Sequence, residues 1–287
     1  MAKFQIFVQL TRLNKPIGFL LLFWPCAWGL TLAYYFNGEL NLYLKHIFLF
    51  FLGSVLMRSA GCIVNDIVDK NFDKKVKRTK KRPIASGKIS VLNAITYVII
   101  LCSFAFIILL QFNFLTIFLG MVSMILAFTY PFMKRITYWP QFFLGLTFNW
   151  GIIMGWTSIT NTMSIEPFIL YVSAIFWTLG YDTIYGLQDI KDDEVIGVKS
   201  TSIKFKNNAK IFVGTCYSLC VFGILILGIF MKIDKYLLTL SLLFISSLIY
   251  QMKTFKINNP SSCLVSFKAN NLTGILIFLF IFSFNIK

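Results

Sequence analysis

The chain has 287 residues, of which 57% are hydrophobic and 17% aromatic, with a formal net charge of +16. Soluble domains are about 45–50% apolar, so this composition excludes a water-facing globule of ordinary kind. Lipid cannot satisfy open backbone groups, which makes the expected fold all-α.

A helix of roughly 20 mostly apolar residues crosses a bilayer. Nine such stretches are predicted in chain order, at 17–36, 44–65, 90–111, 113–130, 137–157, 165–188, 208–230, 235–252 and 269–285. The segment before them, Met1 to Lys15, is polar and carries Lys3, Arg12 and Lys15. No cleavable signal is evident there, and the first apolar stretch is long enough to remain as a span. The expected architecture is a single domain over 1–287, a polytopic membrane bundle of about nine helices.

Basic flanks are retained in the cytoplasm. With the N-terminus inside, all of the 27 Lys and Arg residues fall on the cytoplasmic side except Lys45, Lys232, Lys235, Lys287 and the intramembrane Arg58. The expected location is a bacterial inner membrane, in contact with lipid. The basic run from Lys74 to Arg82 sits between two spans, so no nucleic-acid partner is expected. No obligate protein partner is evident. The six cysteines, Cys26, Cys62, Cys102, Cys216, Cys220 and Cys263, lie mostly within predicted helices, and His46, the single histidine, falls on the outer side. Neither a zinc site nor a histidine base is expected.

Acidic residues are scarce and clustered. Of the eleven, only Glu39, Glu166 and Asp234 fall on outer loops. Asp66, Asp69 and Asp73 lie at the cytoplasmic end of the second span; Asp182, Asp189, Asp192, Asp193 and Glu194 lie at that of the sixth. On a helix, Arg58, Asn65, Asp66, Asp69 and Asp73 share one arc of about 100°. Asp182, Asp189 and Asp193 share a second, with Tyr185 on its flank. Carboxylates facing one another from separate helices suit hard divalent cations. Mg²⁺ in particular bridges one or two carboxylates to substrate phosphates. A solvated helix end with weak ion pairs is the alternative for either cluster alone. A cation-coupled transporter also uses intramembrane acids, but near the midplane on broken helices.

Arg58 lies about 10 Å deeper than Asn65 and about 16 Å deeper than Asp69. A buried arginine needs an anionic partner. That partner is either a substrate carboxylate or, internally, Asp66 or Asp182.

The run Asn65-Asp66-Ile67-Val68-Asp69-Lys70-Asn71-Phe72-Asp73 and the pattern Tyr185, Asp189, Asp193, preceded by Asp182, resemble the two motifs of the UbiA family of intramembrane prenyltransferases. Further blocks at Arg12–Pro25, Leu56–Asp66, Lys77–Gly87, Tyr130–Gln141, Tyr181–Asp193, Ile196–Phe205 and Phe267–Gly274 resemble its 4-hydroxybenzoate branch, in order along the chain. Asn14 departs from that pattern, standing where the family often has Asp. The resemblance implies transfer of a polyprenyl group from polyprenyl diphosphate to 4-hydroxybenzoate in ubiquinone biosynthesis. It implies Mg²⁺ on Asp66, Asp69, Asp73, Asp182, Asp189 and Asp193. Arg82, Lys134 and Arg135 would hold phosphate oxygens, with Asn65 and Tyr185 as further substrate contacts. Arg58 would bind the aromatic carboxylate, and Asp182 and Asp189 would take part in the chemistry, Asp182 as the candidate proton acceptor. Homogentisate or naphthoate acceptors are the alternatives within the family.

Overall fold

The computed structural model describes residues 2–36, 38–76, 78–232 and 237–285. Asp234, Lys235 and Lys287, expected on the outer face, and Lys77 of the basic run lie outside the described residues. The described chain is helical, with no strand among the described residues. A short α1 (Ala2–Thr11) precedes α2 (Ile17–Phe36) and the long α3 (Leu40–Val68), which continues after a slight break into α4 (Lys70–Asp73). Then come α5 (Val91–Leu109), α6 (Phe114–Ile136), α7 (Pro140–Thr160) and α8 (Ile165–Gly186). Two short helices, α9 (Ile190–Ile196) and α10 (Thr201–Lys204), lead to α11 (Ala209–Phe230), α12 (Leu237–Thr254) and α13 (Pro260–Phe282).

Each of the nine predicted stretches coincides with a long helix. Eight of these helices are long and apolar enough to cross a membrane. The exception is α12, whose apolar character is diluted by Ser241, Ser246, Ser247, Gln251 and Lys253. Several of these groups face the bundle. Gln251 accepts from the Tyr217 hydroxyl at 2.7 Å and from Asn270 Nδ2 at 2.9 Å, and Ser247 pairs with Thr273.

Two boundaries differ from expectation. α6 runs past 130 to Ile136, because Lys134 and Arg135 occupy its last turn rather than a loop. α13 begins at Pro260, well before 269, because Asn259 caps it by accepting from Ser262 N at 3.1 Å. Its early polar residues Ser266 and Asn270 are buried inside the bundle.

Glycine brings α2 and α7 into backbone contact. A Cβ on Gly29 would lie 2.0 Å from the Ile152 carbonyl oxygen, and one on Gly155 2.4 Å from that of Cys26. Small residues are what permit such approach between membrane helices. The core behind this seam centres on Trp28 and Trp177, with ring centroids 5.1 Å apart. Both indole N–H groups are satisfied, by Gly274 O at 3.0 Å and by Asn270 Oδ1 at 2.8 Å. A smaller cluster of Leu10, Ala60, Ile63, Ile84, Ala94 and Leu101 ties α1 to α3 and α5. These two cores fix the ends of α3 and α8, where the acidic residues sit.

Candidate active site

The two acidic segments are built alike. In the first, Asp69 ends α3 and begins α4, while its amide still donates to Asn65 O at 2.9 Å and its carbonyl accepts from Asp73 N at 2.8 Å. The predicted helical phasing therefore survives the break. In the second, Asp189 begins α9 just beyond α8, and its carbonyl accepts from Asp193 N at 2.9 Å. Both segments meet at one cavity of about 210 Å³. Asp69 and Asp73 line it from one side, and Asp182, Asp189 and Asp193 from the other. Arg78, Arg82, Lys134, Lys199 and Tyr185 complete the polar wall.

Cations are interleaved with the acids. Arg82 Nη1 donates to Asp66 Oδ1 at 3.0 Å and to Asp73 Oδ2 at 2.9 Å. Arg78 grips Asp189 with two parallel bonds, its Nε at 2.8 Å from Oδ1 and its Nη2 on Oδ2. Lys134 pairs with Asp69. Asp66 is 1% exposed and also accepts from Arg12 Nη2 at 2.5 Å. Burial pushes the Asp193 carboxyl up to about 6, and the charge of Asp189 adds to the effect.

No three carboxylates converge as a preformed metal cage among the described residues. The donor set nonetheless fits a hard cation. Buried Asp66 Oδ2 and Asp69 Oδ1 have no hydrogen-bond partner, and such orphaned acceptors are rare and costly. Mg²⁺ takes only one or two carboxylates together with phosphate and water, so a full protein cage is not required.

Arg58 and Asn65 lie in a second, apolar cavity of about 350 Å³. Tyr130 of α6 lines both cavities. The Arg58 guanidinium sits 5.3 Å from the centroid of the Phe148 ring, and its buried Nε has no partner. It lies against α2 at Gly18, where a Cβ would fall 2.8 Å from Nε. Arg58 makes no direct ion pair with Asp66 or Asp182 among the described residues.

The structure thus gathers Asp69, Asp73, Asp182, Asp189, Asp193, Arg82, Lys134 and Tyr185 around one space. It places Asp66 behind that space, and Arg58 and Asn65 in the neighbouring one. Arg135 lines neither; it donates to Val68 O at 2.8 Å and stacks 5.1 Å over Phe72. Arg12, Arg78, Tyr130 and Lys199 are site residues that sequence reasoning passes over. Arg78 lies within the basic run from Lys74 to Arg82, whose spacing assigns it no partner, and nothing in the spacing of Arg12 points to Asp66.

The profile of the UbiA prenyltransferase family matches residues 22–282. The mitochondrial 4-hydroxybenzoate polyprenyltransferase of Caenorhabditis elegans is 43% identical over 281 residues, covering 95% of this chain and 76% of its own. The 4-hydroxybenzoate octaprenyltransferase of Aliivibrio fischeri is 40% identical over 279 residues, covering 97% of this chain and 96% of its own. Among solved structures, a UbiA homolog from Aeropyrum pernix K1 superposes with a TM-score of 0.78 at 22% identity, covering 92% of this chain and 97% of its own. A UbiA homolog from Archaeoglobus fulgidus bound to GPP and Mg²⁺ gives 0.74 at 18% identity, covering 98% of this chain and 100% of its own. Fold, motif placement and extended sequence identity agree: this chain belongs to the UbiA prenyltransferase family.

Proposed function

We propose that the chain transfers a polyprenyl group from polyprenyl diphosphate to the ring carbon ortho to the hydroxyl of 4-hydroxybenzoate, releasing diphosphate. The observation that carries this reading is a polar cavity of paired acids and cations that shares Tyr130 with an apolar cavity holding the unpaired Arg58. The names of the relatives, from bacteria to animals, support the same acceptor.

Arg78, Arg82, Lys134 and Lys199 bind the diphosphate. Asp69, Asp73, Asp189 and Asp193, with the free oxygen of Asp66, would hold Mg²⁺. When bound, the ion neutralises diphosphate charge and improves the leaving group. The allylic C–O bond breaks, and the apolar walls keep water from the resulting cation. Arg58 binds the carboxylate of 4-hydroxybenzoate and so sets the ring between itself and the allylic carbon. The ring carbon forms the new C–C bond, and its proton leaves to Asp182, which with Tyr130 lines the polar cavity. The charge asymmetry supports a cytoplasmic N-terminus and an acid-lined site facing the cytoplasm of a bacterial inner membrane. The product would enter ubiquinone biosynthesis.

The test is a membrane assay with radiolabelled 4-hydroxybenzoate, octaprenyl diphosphate and Mg²⁺. Lipid-soluble label that is lost with EDTA and in Asp69→Ala is the expected result. Well-folded protein that makes no product would move the acceptor to another aromatic or remove the transferase reading.

A further inference from the structure

We propose that the segment between α4 and α5, together with α1, is a docking surface for anionic phospholipid in the leaflet on the polar-cavity side. Five lysines of this segment, Lys74, Lys75, Lys80, Lys81 and Lys88, are exposed. None of them enters an ion pair among the described residues. The acids nearest in sequence are already taken, Asp69 by Lys134 and Asp73 by Arg82. The other basic loop of this face, between α9 and α11, is different. There Lys199 Nζ donates to Ile136 O at 3.1 Å, Lys204 Nζ lies 4.6 Å from the centroid of the Trp139 ring, and Lys206 pairs with Glu194 at 2.7 Å.

The fold turns the five lysines away from both cavities, neither of which they line. Val76, Arg78, Thr79 and Arg82 of the same segment line the polar cavity. Ile84 is buried in the cluster around Leu10, and Ile89 packs against it. With its inward positions so occupied, the segment leaves its lysines on the outer surface, without a partner.

α1 decides between a lipid surface and an acidic protein as the occupant. Leu10 packs in one cluster with Ala94 and Leu101 of α5, and Phe7 meets Tyr97 edge-on with ring centroids 5.3 Å apart. These α5 residues lie about 5–15 Å along the helix from Val91, inside the apolar span. α1 therefore sits at the depth of the bilayer edge, and its Phe4, 71% exposed, faces acyl chains. Lys88 stands just before the capped start of α5, whose Leu92 is 74% exposed. Apolar groups below and cations above are the pattern of a helix lying in the headgroup layer, and lysines near an anionic leaflet are attracted to it. A soluble acidic protein would reach the lysines but not Phe4.

The experiment titrates the detergent-purified full chain with phosphatidylglycerol, with phosphatidylcholine as the zwitterionic reference, and reads bound lipid by native mass spectrometry alongside the melting temperature. Wild type retains phosphatidylglycerol over phosphatidylcholine, melts higher in its presence, and loses the preference at high salt. In Lys80→Gln/Lys81→Gln/Lys88→Gln the affinity for phosphatidylglycerol falls about fivefold for each lysine removed. Lys253→Gln/Lys256→Gln/Lys268→Gln removes the same charge from exposed lysines of α12, α13 and their connection, and keeps the wild-type affinity. Phe4→Ser also weakens retention. Melting in lipid-free micelles verifies that each variant is folded. An equal fall in the two triple variants reduces the effect to overall charge and overturns the docking surface. Retention untouched by Phe4→Ser overturns it as well, because lysines alone would then suffice. Equal retention of the two lipids by wild type also overturns it and leaves the lysines to an acidic soluble partner. None of these readouts involves turnover, so each outcome is independent of the prenyl-transfer reading.

Discussion

Arg12 reaches from the turn after α1 to donate from Nη2 to Asp66 Oδ1 at 2.5 Å. Its Nη1 lies 3.6 Å from Cys62 Sγ, and its backbone is left-handed, with φ 56°. A side chain other than glycine is disfavoured in that region, so the guanidinium contact offsets a backbone cost. Asp66 retains Arg82 when Arg12 is removed. Arg12→Ala is therefore expected to destabilise the protein by about 1–3 kcal/mol, the cost of a partly unsatisfied buried charge. Thermal unfolding in detergent reads this directly. Arg12→Gly relieves the backbone and should fall between alanine and wild type. An unchanged melting temperature for Arg12→Ala would show that Arg82 alone satisfies Asp66.

Arg58 should control the acceptor rather than the donor. Hydrogen bonds to a charged group contribute about 1.5–3 kcal/mol, so Arg58→Ala is expected to raise the KM for 4-hydroxybenzoate about 10- to 100-fold. The KM for the prenyl diphosphate should change far less. Gly18→Ala tests the seat of the guanidinium, since the added Cβ would fall 2.8 Å from Arg58 Nε. It should move the same constant in the same direction, by a smaller factor. Equal effects on both substrates would remove Arg58 from the acceptor site.

The metal assignment has a readout independent of turnover. A ligand present at 100 times its Kd stabilises the folded state by about 2.7 kcal/mol. Mg²⁺ with diphosphate should therefore raise the melting temperature of wild type, and EDTA should reverse the rise. Asp69→Asn and Asp189→Asn, one from each acidic segment, should each abolish most of the shift. A full shift in either variant would exclude that carboxylate as a ligand.

Much of this site was legible in sequence because acids are scarce and their spacing is helical. At Asp69 the backbone bonds across the break preserve the phase and keep Asp73 on the face its spacing gives, whereas before Asp189 the chain turns through i−3 bonds and Asp193 reaches the polar cavity by that turn. The same helical spacing puts Arg58 and Asn65 on the wall of one cavity, whereas the part Tyr130 plays in both cavities comes from α6 and is not readable from α3. The end of α6 is not readable because it carries the charges of Lys134 and Arg135, whose partners Asp69 and Val68 O lie where α3 ends. The start of α13 is not visible to hydropathy because Ser266, ahead of 269, reads as a loop residue until the bundle that buries it is known. Arg78 lies in the turn-rich stretch between α4 and α5, where no periodicity assigns a face.

Arg78 is for that reason the most informative untested cation. Its fork holds Asp189 with two bonds while its guanidinium lines the polar cavity. A carboxylate that binds metal must exchange such a partner, and the guanidinium released from it is well shaped for phosphate oxygens. Arg78→Lys keeps the charge and loses the fork. It is expected to raise the KM for the prenyl diphosphate by about tenfold, the value of one charge-assisted hydrogen bond, with the KM for 4-hydroxybenzoate unaffected. Arg78→Gln, which loses the charge as well, should raise the donor constant further. If both variants instead lower kcat with unchanged KM values, Arg78 holds Asp189 in place and does not touch the donor. Donor titrations under initial-rate conditions separate the two outcomes.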